Sequence, residues 1–357
     1  MKVYRNIALA LVIVFALGVT FACLYYKSNI SKVSDSKEKI VITINEGSSV
    51  SDIAKLLKEN NLIKSEKIFK LYCKLNGKNN LKATTYSLSP NMDVEKIIEI
   101  LEKGNSYNPD EIAITFKEGI NIRKVATLIS ENTNNTKEDV FNLLSDSNYQ
   151  DELINTYWFI GNEIKSDKLF YSLEGYLAPD TYVYLNKDVT VKEIFTKMLA
   201  QMDKILKPYE EEIKDLNMTT HNFLTLASII ELEAASSNDR AGVAGVFYNR
   251  LKDKWSLGSD VTTYYAEKAD FSVELTYAQY RKCNNYNTRC ASFIGLPVGP
   301  ISLPSTRSIK ATAEPETHAF YYFVADKNGD TYFTKTDPEH LAKIAELKAK
   351  GLWYEYD

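Results

Sequence analysis

The chain has 357 residues, enough for two or three domains with a sizeable core. Hydrophobic residues make up 45% and charged residues 25%, which excludes a disordered chain. A net charge of −4 and a pI near 5.7 argue against nucleic acid as a partner, because phosphate binding needs a basic surface.

The first element is the uncharged run Ile7–Tyr26 within "NIALALVIVFALGVTFACLYY". A helix of that length spans about 30 Å, the thickness of a bilayer core. Lys2 and Arg5 precede it, and Tyr25 and Tyr26 stand where an interfacial belt would. The expectation is a single-pass anchor over 7–26, with residues 1–6 cytoplasmic and the bulk of the chain outside the cell membrane. A cleaved signal peptide is the rival reading. "VTFAC" places a small residue before Cys23, as a lipoprotein site would, but Thr20 and Phe21 do not fit one. Residues 27–39, "KSNISKVSDSKEK", are polar and aperiodic and read as a tether.

An internal repeat follows. "ITINEGSSVSDIAKLLKEN" starts at Ile42 and "ITFKEGINIRKVATLISEN" at Ile114, an ungapped offset of 72 residues. Each copy has a short strand, a Glu-Gly turn (Glu46-Gly47, Glu118-Gly119) and a helix face. Val50, Ile53, Ala54 and Leu57 in the first copy match Ile122, Val125, Ala126 and Ile129 in the second. With "TYSLSPNMDVEKIIEILEKG", residues 40–105 read as a small α+β unit ordered strand, helix, helix, strand, helix, with Gly104 as C-cap. Such a unit either binds a ligand or serves as a spacer.

Residues 110–357 read as a larger, mixed α+β domain. "SLEGYLAPDTYVY" is an ordered loop entering a strand, and "TVKEIFTKMLAQMDKIL" is an amphipathic helix. "HNFLTLASIIELEAA" and "DRAGVAGVFYNRLKD" are helices separated by a Ser236-Ser237-Asn238 break suited to N-capping. "YNTRCASFIGLPVGPISLPS" is an irregular loop of the kind that builds sites. "FYYFVADKNGDTYFTKT" is a hairpin around Asn328-Gly329, and a last helix lies near "PEHLAKIAELKAK". Cys283 and Cys290 either pair, if their loop lies outside the cell, or remain two free thiols. The histidines His221, His318 and His340 are isolated, and neither CxxC nor HExxH occurs, so no metal and no cofactor is expected.

"ASIIELEAASS" holds two carboxylates in an apolar, small-residue run. Two helical positions lie about 200° apart, so Glu231 and Glu233 cannot form a side-by-side acid/base pair. Glu231 shares its face with Ala227, Ser228, Ala234 and Ala235, which leaves room for a ligand; burial there would make it a general acid. Glu233 shares its face with Leu226, Ile229 and Ile230, and with Arg240 if the geometry holds, so its bland reading is a structural carboxylate.

In order along the chain, the anchor, "EGSSVSDIAKLL", "TYSLSPNM", "LEGYLAPDTY", "LASIIELEA", "VAGVFYNRL", "GSDVTTYYA", "YNTR", "GLPVGPI" and "YYFVAD" resemble the endolytic murein transglycosylases of the YceG-like family. The resemblance implies a LysM-like subdomain at 40–105 and a YceG-like catalytic domain at 110–357. It puts the catalytic glutamate, the first of an E-x-E pair, on Glu231. It implies a substrate cleft lined by Ser259, Asp260, Thr262, Tyr286, Asn287, Thr288, Gly295, Leu296 and Pro297, with Glu233, Asn249 and Arg250 as structural support. Val261, Arg289, Val298 and Ala178 depart from the family's usual residues, which bears on the rigidity of the cleft and its sugar-stacking surface.

The implied reaction is cleavage of the MurNAc-β-1,4-GlcNAc bond in nascent peptidoglycan. One glutamate acts as acid and then as base, and the sugar's own 6-hydroxyl attacks to leave a 1,6-anhydro end. Peptidoglycan strands and the cytoplasmic membrane are the implied partners, with peptidoglycan synthases as a further class. A hydrolytic muramidase and a non-catalytic wall-binding scaffold are the alternatives.

Overall fold

Local sequence signals set most helix starts. Ser49, Thr136, Thr190, Thr276 and Thr336 each accept from the backbone N–H three residues on. The residue at that third position (Asp52, Asp139, Glu193, Gln279 or Glu339) reaches back, closing five capping boxes. The computed structural model describes residues 2–104, 107–108, 110–234 and 239–353, with side chains from residue 11 onward. The Ser236-Ser237-Asn238 break lies outside them. The described chain divides into two compact units at Asp110/Glu111.

The first unit begins with helix α1 (Lys2–Ile30), whose stretch Leu11–Ile30 is long and apolar enough to cross a membrane. It continues with β1 (Ile40–Thr43), α2 (Val50–Glu59), α3 (Glu66–Leu75), β2 (Thr85–Leu88) and α4 (Val94–Lys103). β1 and β2 pair antiparallel with Ile42 opposite Tyr86. Leu57, Phe69, Tyr86, Ile97 and Leu101 fill the core beneath them. Gly104 caps α4 in the left-handed conformation at φ 68°.

The expected free tether at 27–39 is corrected. Residues 27–30 extend α1, and Lys64 holds its last turn through the Ser28 carbonyl (3.0 Å) and Ser31 (2.9 Å). Val33 and Ser34 then donate to the Pro90 carbonyl, while Asn91 donates to that of Ser36. Polarity here reflects backbone and side-chain bonding to the small unit rather than freedom from it.

The second unit contains β3 (Ile112–Phe116), α5 (Ile122–Asn132), α6 (Lys137–Ser145), α7 (Ser147–Thr156), β4 (Asp180–Tyr184), α8 (Val191–Leu206), α9 (Glu210–Asp215), α10 (Thr220–Glu233) and α11 (Arg240–Lys252). It ends with α12 (Asp260–Ala266), α13 (Tyr277–Arg281), α14 (Thr306–Ala313), β5 (Tyr322–Ala325), β6 (Thr331–Thr334) and α15 (Asp337–Ala349). The fold class is α+β, with antiparallel pairs β3–β4 and β5–β6. The two repeat copies form the same strand–turn–helix, β1–α2 and β3–α5, one in each unit. Their turn glycines, Gly47 and Gly119, both take positive φ (82° and 76°), which explains why glycine stands there.

α10 is the central element: His221 and every residue from Phe223 to Ile230 are buried. A helix apolar all round needs cover on every side. The Ile301 N–H donates to Ser228 Oγ (3.0 Å) and Ser302 Oγ donates to the Ser228 carbonyl (3.0 Å), laying the 301–305 loop along the small-residue face.

Cys283 and Cys290 form a disulfide that closes the loop carrying Asn284–Arg289. Removing it with Cys283→Ser/Cys290→Ser is expected to lower unfolding stability by about 2 kcal/mol, the chain-entropy value for so short a loop, read by denaturant titration with and without reductant. An unchanged midpoint would mean the Asn287 hydrogen bonds alone fix the loop.

Candidate active site

The end of α10 sends its two glutamates into opposite environments, and these are the reverse of the expected ones. Glu231 is enclosed, its side chain 6% exposed. Its Oε2 accepts from the Ser305 N–H (2.8 Å) and Ser308 Oγ (2.7 Å) at the start of α14, and its Oε1 faces Arg240 Nη2 at 3.3 Å. Arg240 is itself 9% exposed and donates from Nε to Ser308 Oγ (2.9 Å). The room expected beside Glu231 is therefore occupied by α14 and the 301–305 loop, and the arginine expected on Glu233 belongs to Glu231. Small residues on that face admit a neighbouring backbone rather than a ligand.

Glu233 instead lies beside open cavities. Ser259, immediately before α12, donates to its Oε1 at 2.5 Å. Burial pushes its carboxyl up to about 7; the Ser259 hydrogen bond opposes this, the Asp260 carboxylate adds to it, and Arg250 and Arg289 pull it down. Asp260, half exposed, is held by Arg289 Nε at 2.9 Å, and Arg289 Nη1 also donates to the Gly258 carbonyl at 3.1 Å. Partial burial raises the Asp260 carboxyl while Arg289 opposes.

Two cavities meet at this pair. One, about 350 Å³, has Arg250, Arg289, Tyr322 and His340 on its walls; the other, about 700 Å³, has Val261, Tyr264, Phe271 and Tyr280. Glu233 and Asp260 line both. The two cavities adjoin at the Glu233 and Asp260 carboxyls and together make up one groove. A larger groove of about 820 Å³ lies between β4 and α8, but its charged groups are committed: Glu193 caps Thr190, Lys192 pairs with Glu152 and Lys197 donates to the Val183 carbonyl.

The remaining expected cleft residues mostly stand behind the groove. Thr262, Tyr286, Asn287 and Thr288 are at most 1% exposed. Thr288 Oγ1 accepts from the Ser259 N–H (3.0 Å) and bonds Thr262 Oγ1 (2.9 Å). Asn287 donates to the carbonyls of Gln279, Tyr280 and Lys282 and accepts from Thr263. The Tyr286 hydroxyl accepts from the Phe170 N–H at 3.1 Å. These polar groups satisfy buried backbone and fix the Ser259-Asp260 turn, so they are corrected from lining to support. Gly295 takes φ 88° and bridges Ser256, Leu296 packs into the core around α10, and Pro297 is buried. Asn249 donates to the carbonyls of His318 and Phe320, and Arg250 to those of Tyr321 and Leu257, tying β5 to the groove wall.

Sequence reasoning missed Glu174. It is 1% exposed and accepts from the Ile122 N–H (3.0 Å) and the Tyr265 hydroxyl (2.8 Å), joining the start of α5 to α12; burial pushes it up to about 8. A charged residue inside the apolar "SLEGYLAP" was the available signal. His221 bridges the Tyr176 hydroxyl and the Val298 carbonyl, and His318 bonds the Gly242 carbonyl, so both serve the scaffold.

A family model described as the YceG-like family matches residues 42–346. The chain belongs to the YceG-like family. It is similar to an endolytic murein transglycosylase of Bacillus subtilis, with 35% identity over 92% of this chain and 91% of that protein. A Streptococcus pneumoniae endolytic murein transglycosylase is 30% identical over 88% of this chain, which spans 59% of that longer relative. The crystal structure of a YceG-like protein from Listeria monocytogenes matches 86% of this chain and all of its own, with 35% identity and a TM-score of 0.61.

Proposed function

We propose that this chain is a membrane-anchored lytic transglycosylase that cuts within peptidoglycan glycan strands, with Glu233 as its single acid and base. The endolytic murein transglycosylases among its relatives supply the reaction class. The observation that carries the residue assignment is Glu233 at the junction of two cavities, its carboxyl pushed up to about 7. A carboxyl with that value is substantially protonated near neutrality and donates to the leaving oxygen of the MurNAc-β-1,4-GlcNAc bond. The carboxylate left behind takes the proton of the same sugar's 6-hydroxyl as that oxygen closes on the anomeric carbon, leaving a 1,6-anhydro end and consuming no water. Ser259 aims the carboxyl. Asp260, held by Arg289, opposes the positive charge that develops on the sugar ring.

An ordinary glycosidase needs a second carboxylate free to attack or to activate water. Asp260 is tied to Arg289, and an intramolecular nucleophile makes a second free carboxylate unnecessary. The apolar helix would tether the chain to the membrane, the surface at which peptidoglycan synthases deliver new strands.

Incubating the full chain in detergent with purified glycan strands is expected to give 1,6-anhydro-MurNAc ends in mass spectra. Reducing ends would make it a muramidase, and no cleavage under conditions that retain strand binding would make it a scaffold.

A further inference from the structure

The two arms of the groove differ in chemistry. The smaller carries two guanidinium groups and His340. The larger is aromatic: Phe271 and Tyr264 lie 5.0 Å apart at 50°, Tyr280 lines the same arm, and the Arg289 guanidinium lies 5.8 Å above the Tyr280 ring. Phe271 is 57% exposed and Val273 52%, so neither is explained by core packing. Asp270 accepts from Ser272 N–H (3.0 Å) and Oγ (2.8 Å), which fixes the turn presenting Phe271. Exposed apolar side chains that line one cavity together, as Phe271 and Val273 do, form a patch of the kind that marks a binding surface.

We propose that this arm is a sugar-stacking subsite, in which Phe271 and Tyr264 cover the apolar face of an acetamido sugar near the cleaved bond. The inference rests on the glycan-strand reading above. A pyranose ring offers a flat C–H face ringed by hydroxyls, and the arm offers flat rings ringed by Asp260, Ser272 and Glu274 as polar partners. The same carboxylates repel an anionic lipid surface. Because Glu233 and Asp260 line both arms, a strand whose ring rests on Phe271 continues past the acid. The volume of about 700 Å³ lies within the range of roughly 300–1,000 Å³ usual for ligand pockets.

The test uses the full chain carrying Glu233→Gln, in detergent, with the β-1,4-linked tetramer of N-acetylglucosamine as probe and calorimetry as readout. Adding Phe271→Ala is expected to weaken binding about five- to tenfold, adding Phe271→Tyr to leave it within twofold, and neither to move the unfolding transition. In the otherwise unaltered chain, Phe271→Ala is expected to raise KM for glycan strands by a similar factor and to shift product lengths, with kcat nearly constant. Undetectable tetramer binding, or tetramer affinity and KM both indifferent to Phe271→Ala, overturns the subsite. Absence of anhydro ends from the unaltered chain alongside Phe271-dependent tetramer binding would overturn the reaction and leave the subsite standing.

Discussion

Glu233→Gln is expected to lower formation of anhydro ends by about 10³-fold, the scale on which general acid–base catalysis operates, while the chain stays folded. Glutamine has the same shape, and its amide oxygen still accepts from Ser259, so Ser259 and Asp260 keep their places. The pH dependence should identify the group. Wild-type kcat/KM is expected to fall about tenfold per unit above pH 7, as the acid ionises. Stability gives an independent reading. The folded-state value of about 7 lies above the ordinary 4.5, so the folded chain binds the proton more tightly than the unfolded chain. The Glu233 contribution is fully present below pH 4.5 and is lost as pH rises through 7, a change of about 3–4 kcal/mol at about 1.4 kcal/mol per unit. The glutamine variant should lack that part of the slope in denaturant titrations at pH 5 and pH 8. An active glutamine variant would remove Glu233 from the chemistry.

What the sequence made legible was local. The strand–helix–helix–strand–helix order of residues 40–103 follows from periodicity and caps that act within a turn or two, and both copies of the repeat fold alike for the same reason. The opposed directions of Glu231 and Glu233 were also legible, because 3.6 residues per turn dictates them. Which direction faces the groove was not. That depends on α14 and the 301–305 loop, whose Ser305 and Ser308 meet Glu231 from 74 and 77 positions away. α14 is only eight residues long and carries one large apolar side chain, Ile309, so the element that covers the small-residue face was absent from the reading. A similar long-range dependence affected Thr262, Asn287 and Thr288. Polar residues in a loop read as ligand contacts until the backbone groups that they satisfy are known. Arg289, seen only as a departure from the family's usual residue, proves to hold Asp260 and to lie over Tyr280.

Glu231→Ala is expected to destabilise the chain by about 3–5 kcal/mol, because it leaves Arg240 buried with no carboxylate to face and strips the start of α14 of an acceptor. The loss comes from the charge left behind more than from the pair itself. Changing both partners, Glu231→Leu/Arg240→Met, should therefore recover much of it, since an apolar replacement of a buried pair is often neutral or better. Denaturant titrations of the two single variants and the double variant measure that coupling, and a double variant no more stable than Glu231→Ala would contradict it. Activity separates this role from catalysis. Below the unfolding transition, anhydro-end formation per folded molecule should stay within a few-fold of wild type in the double variant, because Glu233, Ser259 and Asp260 do not touch the Glu231–Arg240 pair. A double variant that folds fully yet loses activity about 10³-fold would return the acid to Glu231 and leave Glu233 as its support.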